Sequence, residues 1–371
     1  MREESADFHS FLILSTGMPW AALAAVTAAS AQSNVTISGA MVLGFGASEI
    51  GTASSDLQIV RQTGNIQFAG TEDLGGGLKA GFQLQTTIGQ AAVSDLTTAV
   101  TSTTGGAKQR TLLGDRGANM TLSGGFGTVL VGRTVTSVKA LMGVADVSGL
   151  PVYSGLDASS SAASTTVDDG SYVNAGSDAN ARIIYGSTWA NVVAWQTPTL
   201  SGFTASVGIV PSQTVATGVG DDSSTKDAIS YVLSYANGPL STTVNYYDAA
   251  TGTSPYKMTT IAANYDLGVV KIGVAQQGIR ATGTNVSPGN GTMLTANVPV
   301  GSGAFGLGYG RRTATAQSSA SFGDDVKQTF FGYKHNLSKR TFLSAVYNQI
   351  DRSAASGTDL KETHIYVGHS F

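Results

Sequence analysis

The feature that most constrains this chain is a period-two alternation of apolar with polar or glycine residues. In GLKAGFQLQT the even-numbered residues from Leu78 to Leu84 are apolar, and the odd-numbered ones from Lys79 to Gln85 are glycine or polar. The same pattern recurs in AISYVLSYA, VVKIGVAQQ and FGLGYG, whereas capped segments of helical period are nearly absent. Successive side chains of a strand point to opposite faces. The pattern therefore predicts strands with one apolar and one polar face.

The connections between these strands alternate in length. Seven tight turns are predicted at TEDLGGG (71–77), SGGFG (123–127), TPTLSG (197–202), ANGPL (236–240), YDLG (265–268), PVGSG (299–303) and NLSKR (336–340). Eight longer polar stretches are centred on 48–57, 91–106, 134–181, 211–226, 250–255, 281–289, 316–324 and 353–359. Fifteen connections of these two kinds join sixteen strands.

Short turns on one rim, long loops on the other and an even strand number are typical of an all-β transmembrane barrel. We therefore predict a 16-stranded antiparallel β-barrel. Lipid requires closure, because an open sheet edge would leave backbone groups unpaired. Sixteen strands enclose a water-filled lumen, so the inner face needs no apolar core. This accounts for a chain with 12% charged residues, against roughly 25% in soluble domains.

Aromatic residues and the C-terminus agree with a barrel. Aromatics cluster near predicted strand ends, as an interfacial girdle would require; they are Tyr235, Tyr246, Tyr265, Tyr309, Phe331, Tyr333 and Tyr347. The last strand, IYVGHSF, would close the barrel, and its apolar face would carry Ile365, Val367, His369 and Phe371.

The first 31 residues resemble an atypical secretory signal peptide. Small and apolar residues from Ala21 to Ala29 precede Ala29-Ser30-Ala31, which suits signal peptidase. We expect cleavage before Gln32, which leaves residues 32–371 as the barrel. The acidic start MREESADFHS departs from the basic start of a signal peptide. A disordered tail on a cytoplasmic protein is the alternative.

Enzymatic motifs are weak throughout. Glu72 and Asp73 are adjacent, so a strand would point them to opposite faces and prevent an acid–base pair. Gly75–Gly77 and GSGAFGLG lack the following helix of a nucleotide-binding loop. Three histidines follow residue 31, at 335, 364 and 369, and nothing in the pattern brings them together with other ligands. We expect no enzyme, no metal and no cofactor.

The charge balance disfavours nucleic acid as a partner. Without residues 1–31 the chain keeps 20 basic and 21 acidic residues, a net charge of −1. A nucleic-acid-binding protein needs a basic face.

An ordered set of segments resembles the general porins of Gram-negative outer membranes, most closely the neisserial and betaproteobacterial type. The segments are GTEDLGGGLKAGFQL, LSGGFGTVLVGR, TPTLSGF, YANGPLS, NYDLGVVKIG, VPVGSGAFGLGYG, HNLSKRT and the terminal VGHSF. The resemblance implies a homotrimer in outer-membrane lipid and lipopolysaccharide. It implies passive diffusion of ions and small hydrophilic solutes, and a third long loop folded into each pore.

The resemblance also implies pore residues. Arg116 holds the position of a pore-wall arginine, and Arg133 precedes the constriction loop, here about 134–181. Candidate loop acids are Asp146, Asp157, Asp168, Asp169 and Asp178. By strand parity Lys79 and Lys271 also face the lumen, and Arg182 is a further candidate base. Where the family carries arginines before Gly70, this chain has Asn65 and Ala69, which thins the basic side of the pore.

A second interpretation is a secreted structural or adhesin-like protein rich in Gly, Ser and Thr. A β-solenoid of that kind should show a fixed internal repeat. The strand spacing here is variable, and the connections alternate between short and long. The pattern therefore favours the barrel.

Overall fold

The computed structural model describes most of the chain after residue 33. The described residues are 34–50, 53–88, 114, 116–152, 183–184, 189–211, 228–249, 256–281, 289–313, 325–353 and 359–371. They contain sixteen strands and one helix, α1 (Ser137–Ala145). No helix in these ranges has the length and apolarity needed to cross a membrane.

The strands have the following bounds. They are β1 (Asn34–Ile50), β2 (Ala53–Gly75), β3 (Leu78–Thr87), β4 (Gly117–Gly124), β5 (Gly127–Val135), β6 (Trp189–Gln196), β7 (Phe203–Val210), β8 (Ala228–Asn237), β9 (Leu240–Ala249), β10 (Tyr256–Asp266), β11 (Lys271–Ala281), β12 (Asn290–Val300), β13 (Gly303–Thr313), β14 (Val326–Asn336), β15 (Thr341–Arg352) and β16 (Leu360–Ser370).

The strands form one closed antiparallel barrel. Each strand pairs with its neighbours in sequence, and β1 pairs with β16 from Ala40↔Ser370 to Ile50↔Leu360. The pairing continues beyond β16, where the Gly39 N–H donates to the Phe371 carbonyl and the Phe371 N–H donates to the Gly39 carbonyl, each at 3.0 Å. The predicted 16-stranded barrel is confirmed.

Strand parity separates the inside of the barrel from the outside. In β16 every second side chain is buried, from Leu360 through Glu362 and His364 to Tyr366. The intervening residues face outward, with Ile365 and Val367 47% and 49% exposed. Cross-strand partners of an antiparallel pair lie on the same face. The pairing registers therefore assign a face to residues throughout the wall.

All seven predicted tight turns connect consecutive strands on one rim, the short-turn rim. The first contains Gly75, Gly76 and Gly77, each with φ between 61° and 82°, a region that favours glycine. The Asp73 carboxylate accepts a bond from the Gly75 N–H at 2.9 Å. Glu72 pairs with Ala80 and Asp73 with Lys79, so the two acids point to opposite faces.

The connection between β1 and β2 differs from the prediction. A long loop was expected at 48–57, but β1 runs to Ile50 and β2 begins at Ala53. β1 is paired with β16 as far as Ile50↔Leu360, whereas the residues of β2 before Asn65 extend beyond the last pair with β3, Asn65↔Thr87. The Ser, Thr and Asp residues of this stretch resemble loop composition, which is why the sequence pattern predicted a loop here.

The aromatic side chains predicted to form a girdle take outward positions by register. Several pair across strands near the short-turn rim, including Phe203 with Tyr235 and Phe305 with Tyr333, whose ring centroids lie 4.4 and 4.9 Å apart. Aromatic rings that are apolar but carry a polar atom suit the boundary of a membrane.

The apolar core lies inside the barrel, against one side of the wall. It joins α1 and the residues Ile183 and Ile184 to inward side chains of β10–β12 and β14–β16. Sequence periodicity did not predict this helix. Its apolar residues nevertheless have helical spacing, at positions 138, 141, 142 and 145.

We predict that Gly39→Ala destabilises the β1–β16 closure. An ideal Cβ at Gly39 would lie 2.5 Å from both the Asn65 carbonyl oxygen and the Phe371 ring, and overpacking of this kind costs about 1–3 kcal/mol. The folded band of the variant should disappear at a lower temperature on semi-denaturing gels. Gly125→Ala, which has open space around its Cβ, is the control. Equal melting of the two variants would contradict the prediction.

Candidate pore and constriction

Helix α1 begins the segment that enters the lumen. It follows β5, and Thr136 caps its N-terminus by accepting the Lys139 N–H at 3.2 Å. Its apolar side faces the barrel wall, with Leu141 and Ala145 almost fully buried. Ala140 and Gly143, on the other side, are exposed. Lys139 is half-buried, so the side of the helix away from the wall combines small residues with one lysine.

Polar wall residues hold the beginning of α1. The Ser137 and Ser230 hydroxyls lie 2.8 Å apart. The amide nitrogen of Asn245, a fully buried residue of β9, donates to both of them, at 3.0 and 2.8 Å. These bonds attach the helix to β8 and β9.

The end of α1 is held by its backbone carbonyls. Asn264 of β10 donates to the Val144 carbonyl at 2.8 Å, and the Thr295 hydroxyl of β12 donates to the Ala145 carbonyl at 2.6 Å. Gly273 of β11 lies directly beneath this carbonyl, where a Cβ would collide with the oxygen. The helix terminus, whose last carbonyls lack helical partners, thus finds its partners in the barrel wall.

The chain after α1 continues along the inner wall. Asn297 donates to the Ser148 carbonyl at 2.9 Å, and Leu150 packs in a cluster with Phe330. Ile183 lies against Gly291 and Gly310, which have no side chain to displace it. The predicted inward course of the third long loop is therefore present in its described parts, 136–152 and 183–184.

A cluster of amide side chains lines the lumenal face of β2, β3 and β4. We call Asn65, Gln67, Gln83, Gln85 and Asn119 the amide ladder. Within it, Gln83 donates to the Gln67 oxygen at 2.7 Å and Gln85 to the Asn65 oxygen at 3.3 Å. Asn119 donates to the Gln83 oxygen at 3.3 Å and to the Arg133 carbonyl at 2.9 Å. Sequence alternation placed Gln83 and Gln85 on the polar face, but it did not indicate that five amides meet there.

Arg116 lies beside the amide ladder, just before β4. Its Nε donates to the Thr87 hydroxyl at 3.2 Å, and its backbone N–H donates to the Gln85 carbonyl at 3.2 Å. Thr87 has the same strand parity as Gln85, which is lumenal. The guanidinium therefore reaches the inner face near the rim opposite the short-turn rim.

The register contradicts the prediction that Arg133 lines the pore wall. Arg133 pairs with Ala118 and Asn191. It has the parity of Met120 and Val131, which are 66% and 52% exposed on the outward face. Three consecutive apolar residues, 129–131, precede it in β5. Sequence alternation therefore cannot assign a face here, and only the register does.

Lys79 and Lys271 have lumenal parity but lie near the short-turn rim. Lys79 pairs with Asp73 and Lys271 with Asp266, each pair next to a tight turn. Lys271 is also opposite Asn297, whose amide binds the chain after α1. Of these two bases, Lys271 is the nearer to the constriction.

Among the predicted loop acids, Asp146 ends α1. Its carboxylate accepts from the Ser148 N–H at 3.0 Å and from the Ser148 hydroxyl at 2.7 Å. The other predicted constriction residues lie outside the described residues; these are Asp157, Asp168, Asp169, Asp178 and Arg182.

Lumenal ionisable side chains on β13–β16 were not predicted from sequence. Arg312, Glu362 and His364 are buried there. Asn348 donates to Glu362 at 3.0 Å and accepts from Gln328 at 3.0 Å. The alternation of β16 could have indicated two of them, because Glu362 and His364 are at even-numbered positions, on the face opposite Ile365.

One part of the wall carries no charge. From β4 to β9, every described residue with lumenal parity is uncharged, from Asn119 to Tyr247. Among the described residues, no three His, Asp or Glu side chains are grouped as metal ligands. The site can position and filter solutes by shape and hydrogen bonding.

Comparison with known proteins agrees with this architecture. Residues 20–355 match the family model described as Gram-negative porin. The chain is 30% identical over 366 residues to outer membrane porin protein 32 of Delftia acidovorans, covering 94% of this chain and 92% of the relative.

Solved structures show the same fold. An anion-selective porin from Comamonas acidovorans superposes with a TM-score of 0.66 at 24% identity, covering 92% of this chain and all of the other (100%). Salmonella typhi OmpF superposes with a TM-score of 0.62 at 13% identity, covering 91% and 97%. The trimer form of Vibrio cholerae OmpT gives 0.59 at 10% identity, covering 91% and 99%. With its closed barrel and inward loop, the chain belongs to the Gram-negative porin family and is an outer-membrane porin channel.

Proposed function

We propose that this porin is a passive diffusion channel for ions and small hydrophilic solutes. The observation that carries the proposal is α1, which lies inside a closed sixteen-stranded barrel and is attached to one side of its wall. A helix in this position narrows the lumen without filling it. Transport then needs neither turnover nor a cofactor.

Selection by size comes from the space between α1 and the amide ladder. Selection by charge comes from Arg116, Lys79 and Lys271, which are opposed by Asp146 and the other loop acids. The Comamonas relative is anion-selective by its description. Here the positions of two expected arginines are Asn65 and Ala69, and the wall from β4 to β9 is neutral. Weak charge selectivity is the consequence.

The porin assembles, in this proposal, as a homotrimer in the outer membrane. A leader of residues 1–31 is removed during export through the periplasm. The short-turn rim faces the periplasm, and the longer loops face the exterior and its lipopolysaccharide. The trimer form of the structural relative OmpT supports the assembly.

The first test is reconstitution. Purified protein should migrate as a heat-stable trimer and produce stepwise conductance increments in planar bilayers, because each barrel supplies a separate pore. A monomer that inserts without conductance would refute the channel. A conducting monomer would refute only the trimer.

We predict that Gly273→Ala lowers single-channel conductance and increases current noise. The added Cβ displaces the Ala145 carbonyl, so the end of α1 must leave the wall and enter the lumen. Gly278→Ala is the matched control, since its Cβ lies on the outward face of the same strand with its nearest neighbour 3.8 Å away. Both variants should retain heat stability. Indistinguishable conductance in the two would contradict the proposed constriction.

We predict that Arg116→Gln shifts ion preference toward cations. The substitution removes a positive charge at the lumenal face beside Thr87. The measurement is the reversal potential under a salt gradient. Lys327→Gln is the control, because Lys327 is an outward-facing residue of β14 and its replacement removes an equal charge outside the pore. An unchanged reversal potential in Arg116→Gln would show that Arg116 does not line the pore wall.

A further inference from the structure

We propose that the amide ladder is a binding track for uncharged polyhydroxylated solutes of sugar size. The inference rests on the proposed channel function and adds a solute class to it. This part of the wall carries hydrogen-bonding amide groups in place of fixed charges. Five primary amides occupy the lumenal face of three adjacent strands, β2 to β4.

The internal bonds of the ladder leave polar groups available to a solute. Each primary amide has two N–H donors and an acceptor oxygen. Among the described residues, the Asn65 and Gln67 oxygens accept the bonds from β3, and no protein atom accepts from their nitrogens. Asn119 donates to two acceptors through its nitrogen, and no described residue donates to its oxygen. Donors on β2 and an acceptor on β4 therefore border the same surface.

This surface is accessible from the pore. The four amides of β2 and β3 are half-buried, and only Asn119 is buried. Side chains on neighbouring strands are about 4.8 Å apart, and those two residues apart on one strand are about 6.7 Å apart. A sugar ring spans adjacent positions of such a grid, so its hydroxyls can reach two amides at once.

The chemistry favours hydroxyl groups over ions. A hydroxyl both donates and accepts, and so does an amide, so the two can bond reciprocally. An ion gains most from an opposite fixed charge, which the ladder does not supply. Arg116 stands at one end of the ladder and Lys79 toward the other, and neither lies within it.

The bonds within the ladder also position its members. Gln67 and Gln83 are joined at 2.7 Å, which fixes both side chains. Fixed groups lose less conformational freedom when a solute binds. If these bonds serve only to stabilise the wall, the preference of the pore for one solute over another will not depend on them.

The test compares a disaccharide with a polyethylene glycol of equal hydrodynamic radius. The protein is reconstituted in liposomes, and swelling rates are measured over a range of solute concentrations. The glycol has few hydroxyls, so size alone predicts equal rates. We expect the disaccharide to enter faster and its flux to saturate, because a track with affinity fills at high concentration.

The decisive variant is Gln67→Met/Gln83→Met, which keeps side-chain length and removes the polar groups. The half-saturating concentration of the disaccharide should rise by about fivefold or more, on the order of the loss of one net hydrogen bond. The rate ratio of disaccharide to glycol should fall toward one. Gln196→Met, at an exposed lumenal position on β6 outside the ladder, should leave both values unchanged.

Controls distinguish failure of the track from failure of the channel. Reversal potentials should be equal in all variants, since no charge changes. A conducting channel whose disaccharide preference is the same in the unmodified protein and the double variant would overturn the track and leave the channel intact. An unmodified protein with neither conductance nor swelling would overturn the channel itself. If the double variant does not form the heat-stable species, Gln67→Met alone carries the same comparison.

Discussion

The backbone hydrogen bonds between β1 and β16 are the contacts on which the rest of the structure depends. In lipid, an unpaired strand edge would leave a row of N–H and C=O groups without partners, at several kcal/mol each. Closure from Gly39 to Ile50 against β16 removes that edge. Once the barrel is closed, strand parity alone decides which side chains contact lipid and which face the lumen.

The wide lumen creates the second requirement. A closed barrel of sixteen strands is too wide for its wall side chains to fill, and the segment folded inward is bound to the wall by polar contacts as well as by the apolar core. Asn264 and Thr295 provide these contacts to the last carbonyls of α1. Gly273 permits the close approach of backbone to wall. The described part of the constriction is thus held against one side of the wall.

The resulting pore is asymmetric in its chemistry. Buried charges such as Arg312 and Glu362 belong to the strands β13–β16, whereas the wall from β4 to β9 is neutral and the amide ladder covers β2 to β4. Outward charges pair with one another, as Lys257 does with Asp248 at 2.8 Å. Permeating solutes consequently meet hydrogen-bonding groups over much of the wall and fixed charges at a few positions.

The sequence determined the strand number, the seven tight turns and the closing role of the last strand, because alternation and turn composition are local properties. It could also have shown α1, whose apolar residues from Val138 to Ala145 have helical spacing. It could not assign Arg133, because the apolar run of β5 hides the parity that its pairing with Ala118 fixes. Nor could it bring Asn65, Gln83 and Asn119 together, since they are distant along the chain and meet only through strand register. Local pattern specified the wall, and only the closed tertiary structure decided which side chains share the pore.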